Sequence, residues 1–223
     1  MLAALRRLGM DDLARRIHRS VPRHHRMRHP PFGVEAQRII SSAPDTFRFA
    51  TVALAIDSIL RGGIQGASAE VGVYRGELSR LINAMAPERP LYLFDTFEGF
   101  PDQDVSDPRD RRFRDTSLDM VMGTLPHPES VIARPGYFPD TARGIEARFA
   151  FVMLDVDLHG PTAAGLEFFY PRMNPGGYLF VDDYNNPESQ WAVSKAFNAF
   201  MADKPEWPVQ VADTWGAIQI RKL

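Results

Sequence analysis

The segment FAFVMLDVDLHG, residues 149–160, decides the architecture of this chain. Six apolar residues in succession predict a strand that is buried on both faces, as the strands of parallel sheets are. The predicted strand covers residues 149–155 and ends in Asp155, with Asp157 two residues later. Two carboxylates at the end of a buried strand need a neighbouring positive charge or a chemical role.

Strands and helices alternate on both sides of this segment. Further strands are predicted at 68–73, 91–95, 130–136 and 176–183, and helices at 46–63, 75–85, 117–125, 161–173 and 189–202, with another helix starting at 139. A polar loop separates them over residues 96–116, and two short strands at 208–213 and 214–223 suit an antiparallel pair. This pattern predicts an α/β fold with a Rossmann-like, mostly parallel sheet and helices on both faces.

Acidic residues occur at the carboxyl ends of the predicted strands. Asp95, Asp155 and Asp182 each end a strand, and Glu70 lies within the first one. Ligands of open α/β sheets bind in the crevice outside these strand ends. The sequence therefore predicts a ligand site at this edge of the sheet.

The stretch EVGVYRGELS, residues 70–79, predicts a strand, a turn and a helix, with Gly72 and Gly76 at the turn. Such glycines let a ligand approach the backbone, although the third glycine of the dinucleotide pattern is missing. Asp95 follows at the spacing of an acid that binds ribose hydroxyls, which predicts an adenosine cofactor. The alternatives are a tight structural turn and an Asp95 that caps the turn after it.

Asp155, Asp182 and Asp183 are predicted at neighbouring strand ends, where they would repel one another without a positive charge between them. Mg²⁺ prefers oxygen ligands and would lower the pKa of a hydroxyl held beside it. Asp157 or Asp155 would then accept the hydroxyl proton, and His159 is a further candidate. The alternative is that these carboxylates cap helices or face solvent.

Composition excludes several classes of protein. The chain has 223 residues and no cysteine, so disulfides and Cys-ligated metal sites are excluded. No apolar run approaches the roughly 20 residues of a membrane span, and the N-terminus lacks a signal-peptide core, so we expect no membrane association and a cytoplasmic location.

Charge is unevenly distributed along the chain. Residues 1–30 carry a net charge of +6, against −2 for the whole chain. We interpret residues 1–44 as a basic helix, arm and linker, and residues 45–223 as the main domain. A basic arm is a candidate for binding an anionic partner, but no aromatic residues interleave with its arginines, which disfavours nucleic acid.

Several blocks together resemble the macrocin O-methyltransferase family. They are AEVGVYRGELSRLI, LYLFDTFEGFP, FRDTSLDMVMGTL, PGYFPDT, FVMLDVDLHGPT and LEFFYPRMNPGGYLFVDDY, in that order within residues 45–220. The resemblance implies a class I methyltransferase with seven strands and a terminal antiparallel hairpin. It also implies an enzyme that uses S-adenosylmethionine and Mg²⁺ to methylate sugar hydroxyls of macrolide and aminocoumarin natural products.

The resemblance also assigns roles to residues. It implies that the methionine half of the cofactor contacts Glu70, Gly72 and Tyr74, the ribose contacts Asp95, and the adenine lies near Gly136, Tyr137 and Ser117. It implies that Asp155, Asp182 and Asp183 bind Mg²⁺, and that Asp155 or Asp157 is the base.

The chain departs from the family in the acceptor loop, where LHGPT at 158–162 replaces an aromatic residue and an acid, and in its Arg- and His-rich N-terminus. We therefore expect a small hydroxylated acceptor, a deoxysugar or other glycoside, without naming it. A phenol or catechol methyltransferase, a nicotinamide-dependent oxidoreductase and a non-catalytic binding protein of this fold remain as alternatives, and a homo-oligomer is compatible with the resemblance.

Overall fold

The computed structural model of the protein describes residues 29–101 and 111–223. Its helices are α1 Val34–Ser42, α2 Thr46–Arg61, α3 Glu77–Met85, α4 Leu118–Met122, α5 His159–Phe169 and α6 Ala192–Met201. Its strands are β1 Ala67–Val71, β2 Leu91–Asp95, β3 Val131–Pro135, β4 Phe149–Leu154, β5 Met173–Val181, β6 Val209–Gln210 and β7 Ile218–Arg221.

Within these residues the strands form one seven-stranded sheet in the order β3-β2-β1-β4-β5-β7-β6. The strands from β3 to β5 are parallel, whereas β7 is antiparallel to both β5 and β6. The strand order reverses between β1 and β4, which is the point where ligands bind in such sheets. The predicted fold class is confirmed, including the antiparallel pair at the end of the chain.

The unbroken apolar run at residues 149–154 forms the central strand β4, and all six of its residues are buried. Phe151 and Met153 face a core formed with α1, α2 and α3, whereas Val152 and Leu154 face a core formed with α5 and α6. Apolar side chains on both faces of the strand explain its unbroken hydrophobic run.

The strand register brings four chain segments to one level at the edge of the sheet. Val71 of β1 pairs with Phe94 of β2 and with Leu154 of β4, which pairs in turn with Val181 of β5. The next residues along β1, β2, β4 and β5 are Gly72, Asp95, Asp155 and Asp182, respectively. Regular parallel pairing therefore places the predicted acidic residues side by side.

An aromatic cluster supports this edge from the face that carries α5. The Phe169 ring stacks on the Phe138 ring at 5.9 Å between centroids and meets Phe94 and Phe149 edge-on. Phe94 and Phe149 lie on β2 and β4, and Phe138 lies in the loop after β3. The cluster thus fixes the loop that follows β3 relative to the central strands.

The structure differs from the predicted elements in two places. The helix predicted to start at residue 139 is wrong: a single 3₁₀ turn covers Asp140–Ala142, and the backbone of Arg143 after it is extended. Helix α1 lies in the stretch interpreted as arm and linker, and its Ala36, Ile39 and Ile40 pack into the same core as α2 and α3.

Some predictions about the N-terminal part concern residues outside the described ranges. The predicted basic helix and most of the predicted arm fall in residues 1–28, and residues 102–110 belong to the predicted polar loop. The boundary at residues 44 and 45 stays a prediction.

Across the described ranges, no helix combines the length and the apolar character that crossing a membrane requires.

Candidate active site

A cavity of about 460 Å³ opens at the carboxyl edge of the sheet. Nearly all of the predicted site residues line it: Glu70, Gly72, Tyr74, Asp95, Gly136, Tyr137, Asp155, Asp157, Asp182 and Asp183. Two candidates do not line it. Ser117 is the N-cap of α4 and accepts a hydrogen bond from the Met120 backbone nitrogen, and His159 is the exposed first residue of α5.

Asp95 connects the loops after β1 and β2. Its Oδ2 accepts hydrogen bonds from the backbone nitrogens of Val73 and Tyr74, at 2.6 and 2.9 Å, and its Oδ1 accepts one from Phe97 at 2.7 Å. The turn-capping role considered for Asp95 is therefore present, while its carboxylate also lines the cavity. Its contact with a ribose stays a prediction.

Glu70 lies at the base of the cavity with only 2% of its surface exposed. Its Oε2 accepts a hydrogen bond from the Ser79 hydroxyl of α3. Burial raises the pKa of Glu70 to about 8, outweighing the opposite effect of the Ser79 hydrogen bond, and the nearby charge of Asp155 adds to the increase. Glu70 is therefore mostly protonated and neutral at pH 7.

Asp155, Asp182 and Asp183 meet at the ends of β4 and β5, each with one carboxylate oxygen within 4.8 Å of the others. Asp182 is 3% exposed, and its Oδ1 is buried without a hydrogen-bond partner. A buried acceptor without a partner is costly, so a ligand for that oxygen would be stabilising. Three converging carboxylates and this unsatisfied oxygen fit a hard divalent cation such as Mg²⁺.

Asp157 lies beside this cluster in a left-handed backbone conformation, with φ of 57°, and Asp183 is also left-handed, with φ of 56°. Such conformations are uncommon for residues other than glycine, and they concentrate at functional sites. Burial raises the pKa of Asp157 well above its usual range, and a hydrogen bond with Asp183 adds to the effect. Burial also raises the pKa of Asp155, against the opposing charge of Arg48.

Arg48 of α2 is the main site residue that the sequence analysis missed. Its Nη1 donates to Asp155 Oδ2 at 3.1 Å and to Asp182 Oδ2. Burial alone would lower the pKa of Arg48, but the charge of Asp155 and weaker contributions from Asp45 and Asp213 raise it. Arg48 is therefore a permanent cation among these carboxylates.

The position of Arg48 follows from the start of its helix. Asp45 is the N-cap of α2, and its Oδ1 accepts from the backbone nitrogens of Phe47 and Arg48 at 3.0 Å each. Its Oδ2 accepts from the Thr214 backbone nitrogen at 2.6 Å. One carboxylate thus joins the first turn of α2 to the loop between β6 and β7.

Trp215, Arg75 and Asp115 are further residues at or beside the cavity that the sequence analysis did not single out. Trp215, from the loop between β6 and β7, lines the cavity and is 42% exposed. The Tyr74 hydroxyl donates to Asp115 Oδ1 at 2.8 Å, and Arg75 forms an ion pair with the same carboxylate. The chain around Asp115 is thereby held next to the Gly72 loop.

Comparison with known proteins agrees with this arrangement. The family model of macrocin O-methyltransferase (TylF) matches residues 45–219. A tetracenomycin rhamnosyl 4'-O-methyltransferase of Streptomyces olivaceus is 33% identical over 58% of this chain and 57% of its own length. The mycinamicin III 3''-O-methyltransferase of Micromonospora griseorubida is 30% identical over 62% of this chain and 63% of its own.

The chain thus spans about three fifths of the length of these curated relatives. Among solved structures, the O-methyltransferase NovP superimposes with a TM-score of 0.69 at 21% identity, covering 79% of this chain and 80% of NovP. That likeness confirms the fold, and the family match confirms the resemblance of the motifs. The chain belongs to the macrocin O-methyltransferase family.

Proposed function

We propose that the protein is a Mg²⁺-dependent O-methyltransferase that moves the methyl group of S-adenosylmethionine to a hydroxyl of a glycoside. One observation supports this most: the Asp155, Asp182 and Asp183 carboxylates converge in the same cavity as the Gly72 loop and Asp95. The cavity then has a cofactor end, formed by the Gly72 loop and Asp95, next to a metal end, formed by the three aspartates. Methyl transfer to a metal-activated hydroxyl requires the two to be adjacent.

The residues at the cofactor end can hold an adenosine cofactor. Gly72 and Gly136 line the cavity, and Asp95 retains acceptor capacity beyond its backbone hydrogen bonds. Glu70 offers a buried carboxyl group toward the methionine half. S-Adenosylmethionine, when bound, supplies an electrophilic methyl group, and these residues orient it.

The residues at the metal end can prepare the acceptor hydroxyl. Mg²⁺ held by Asp155, Asp182 and Asp183 would lower the pKa of that hydroxyl. Asp157 lies on the same loop as Asp155, lines the cavity and is not one of the three converging carboxylates. Burial raises its pKa, and the positive charge of a bound Mg²⁺ would oppose that rise and favour the ionised form, which can accept a proton. We therefore assign Asp157 as the base, and Leu158 and Pro161 of the loop that follows as the wall nearest the acceptor.

The acceptor class is proposed from the two relatives, whose names describe methylation of a rhamnosyl group and of a mycinamicin. A glycoside also fits a cavity whose outer wall carries the half-exposed indole of Trp215. Sugar rings pack on aromatic faces through their apolar C–H surfaces, so this wall suits a saturated ring.

The test is methyl transfer from labelled S-adenosylmethionine to a panel of glycosides, sugar nucleotides, catechols and simple phenols, with Mg²⁺ or with chelator. We expect transfer to a sugar hydroxyl that chelator abolishes. Asp182→Asn should lower kcat/KM roughly 100-fold, the scale of losing one preorganised electrostatic contact, while cofactor affinity is retained. Asp203→Asn, which changes a carboxylate that is 79% exposed, is the matched control.

Each part of the proposal can fail separately. Full activity of Asp182→Asn in chelator would rule out the metal role. Transfer to catechols but to no glycoside would replace the acceptor class while leaving the reaction intact. Binding of a nicotinamide cofactor in place of S-adenosylmethionine would refute the proposed reaction as a whole.

A further inference from the structure

Arg48 occupies a position that a purely structural ion pair would not explain. A single nitrogen, Nη1, serves both Asp155 and Asp182, and only 17% of the Arg48 side chain and 2% of the Asp182 side chain are exposed. Arginine stabilises carboxylates best through a two-pronged contact of its planar fork. Here Arg48 Nε and Asp182 Oδ1 are both buried without a hydrogen-bond partner.

The charge around Arg48 is nevertheless strongly negative. Asp155 and Asp182 contact it, and Asp45 and Asp213 lie near enough to act on its charge. Buried carboxylates that lack a cation repel one another and destabilise the fold. The guanidinium therefore supplies neutralisation, even though its hydrogen bonds are incomplete.

We propose that Arg48 is an internal counter-ion that stands in for the divalent cation at Asp155 and Asp182 and opposes its binding. The inference rests on the proposed function, because it takes the three aspartates as the metal site. The guanidinium offsets the negative charge of Asp155 and Asp182 and holds both side chains in position before the metal arrives. Its charge then repels the incoming cation, so metal affinity is lower than three carboxylates alone would give.

Helix α2 offers a matched control for removing the charge of Arg48. The hydrogen bonds of the Asp45 cap go to backbone nitrogens, so a side-chain change at residue 48 leaves the cap in place. Arg61 at the other end of α2 has a side chain that is 69% exposed and pairs only locally with Asp57 within the described residues. Arg61→Met removes the same charge from the same helix, away from the carboxylate cluster.

The experiment compares the wild-type chain of residues 1–223 with Arg48→Met, Arg48→Lys and Arg61→Met. Mn²⁺ and Mg²⁺ affinities are measured by isothermal titration calorimetry, and Tm is measured in chelator and at saturating Mg²⁺. We expect Arg48→Met to bind Mn²⁺ at least about tenfold more tightly than the wild type. Its Tm in chelator should be lower than that of the wild type, and Mg²⁺ should raise its Tm by more. The cation affinities and Tm values of the other two variants should stay close to those of the wild type.

Equal or weaker Mn²⁺ binding by Arg48→Met would overturn the inference and leave the proposed metal site standing. Absence of any cation binding in the wild type and in Arg48→Met would instead refute the metal site, and the inference with it. Arg48→Gln is the second neutral variant if Arg48→Met does not fold in chelator. The same tenfold tightening is required of it.

Discussion

Gly72 lies so close to Asp155 that a Cβ atom added to Gly72 would overlap the Asp155 carbonyl oxygen. The two residues follow β1 and β4, which are paired up to Val71 and Leu154. The backbone nitrogen of Asp155 also donates to the Val71 carbonyl at 2.8 Å. The glycine is therefore required by the fold, in addition to any contact with a cofactor.

Replacing Gly72 by alanine should destabilise the protein by about 3 kcal/mol or more, because the backbone of β4 has to move. Gly144→Ala is the matched control. Gly144 is also left-handed, with φ of 76°, but nothing lies within 4 Å of the added atom. Only the cost of the left-handed backbone remains there, about 1–2 kcal/mol. Urea unfolding followed by circular dichroism measures the free energy of unfolding of both variants. Equal losses of stability in Gly72→Ala and Gly144→Ala would contradict the steric explanation.

Glu70→Gln should change how stability depends on pH. The pKa of Glu70 is raised from 4.5 to about 8 in the folded protein, so the native state holds a proton that the unfolded chain releases. The proton on Glu70 therefore contributes fully to the free energy of unfolding below pH 4.5, and this contribution is lost as pH rises toward 8. The wild type should therefore lose about 2–3 kcal/mol more than Glu70→Gln between pH 5.5 and pH 7.5.

Urea unfolding of the cofactor-free protein at several pH values provides that comparison. Glu77→Gln, an exposed change on the first turn of α3, serves as the control for removing a carboxylate nearby. Parallel pH profiles for the wild type and Glu70→Gln would show that Glu70 is ionised in the native state.

Asp45→Ala should cost more than an ordinary helix cap. The change removes the two backbone hydrogen bonds at the start of α2 and the one from Thr214. Loss of a cap costs about 1 kcal/mol, and the long-range bond adds to it, so we expect about 2–3 kcal/mol. Asp45→Asn keeps one carbonyl acceptor and should fall between Asp45→Ala and the wild type, as judged by urea midpoints.

Trp215→Ala should raise KM for the acceptor about tenfold or more, while KM for S-adenosylmethionine changes little. The indole lines the outer part of the cavity, and its loss removes a large apolar contact surface. Trp207→Ala is the control, because Trp207 is 88% exposed and does not line this cavity. Similar acceptor KM values for the two variants would remove Trp215 from the acceptor site.

The sheet could be predicted because its signals are local. The unbroken apolar run of β4, the turn glycines and the acidic strand ends are each visible within a few residues, and parallel pairing then places those ends together. The helical prediction at residue 139 was wrong for an equally local reason. The segment starts after Pro139, and the backbone is extended again at Arg143, so it contains only one 3₁₀ turn.

Arg48 could not be predicted from the sequence in the same way. It contacts Asp155 and Asp182 across sequence separations of 107 and 134 residues, and in its own helix it resembles any partly exposed arginine. Helix α1 was missed because it directly follows the Arg- and His-rich N-terminal segment and was interpreted together with it as arm and linker. Trp215 depends on a loop between two short strands, whose course only the folded chain defines.

The left-handed conformations of Asp157 and Asp183 restrict how this site can change during evolution or in a mutant library. At both positions, aspartate, asparagine and glycine are the residues that adopt the backbone at little cost, whereas valine, isoleucine and threonine are penalised before any chemistry is considered. Saturation mutagenesis should therefore yield folded variants dominated by Asn and Gly. A family of active sites built on this frame would diversify through its neighbouring loops rather than through these two residues.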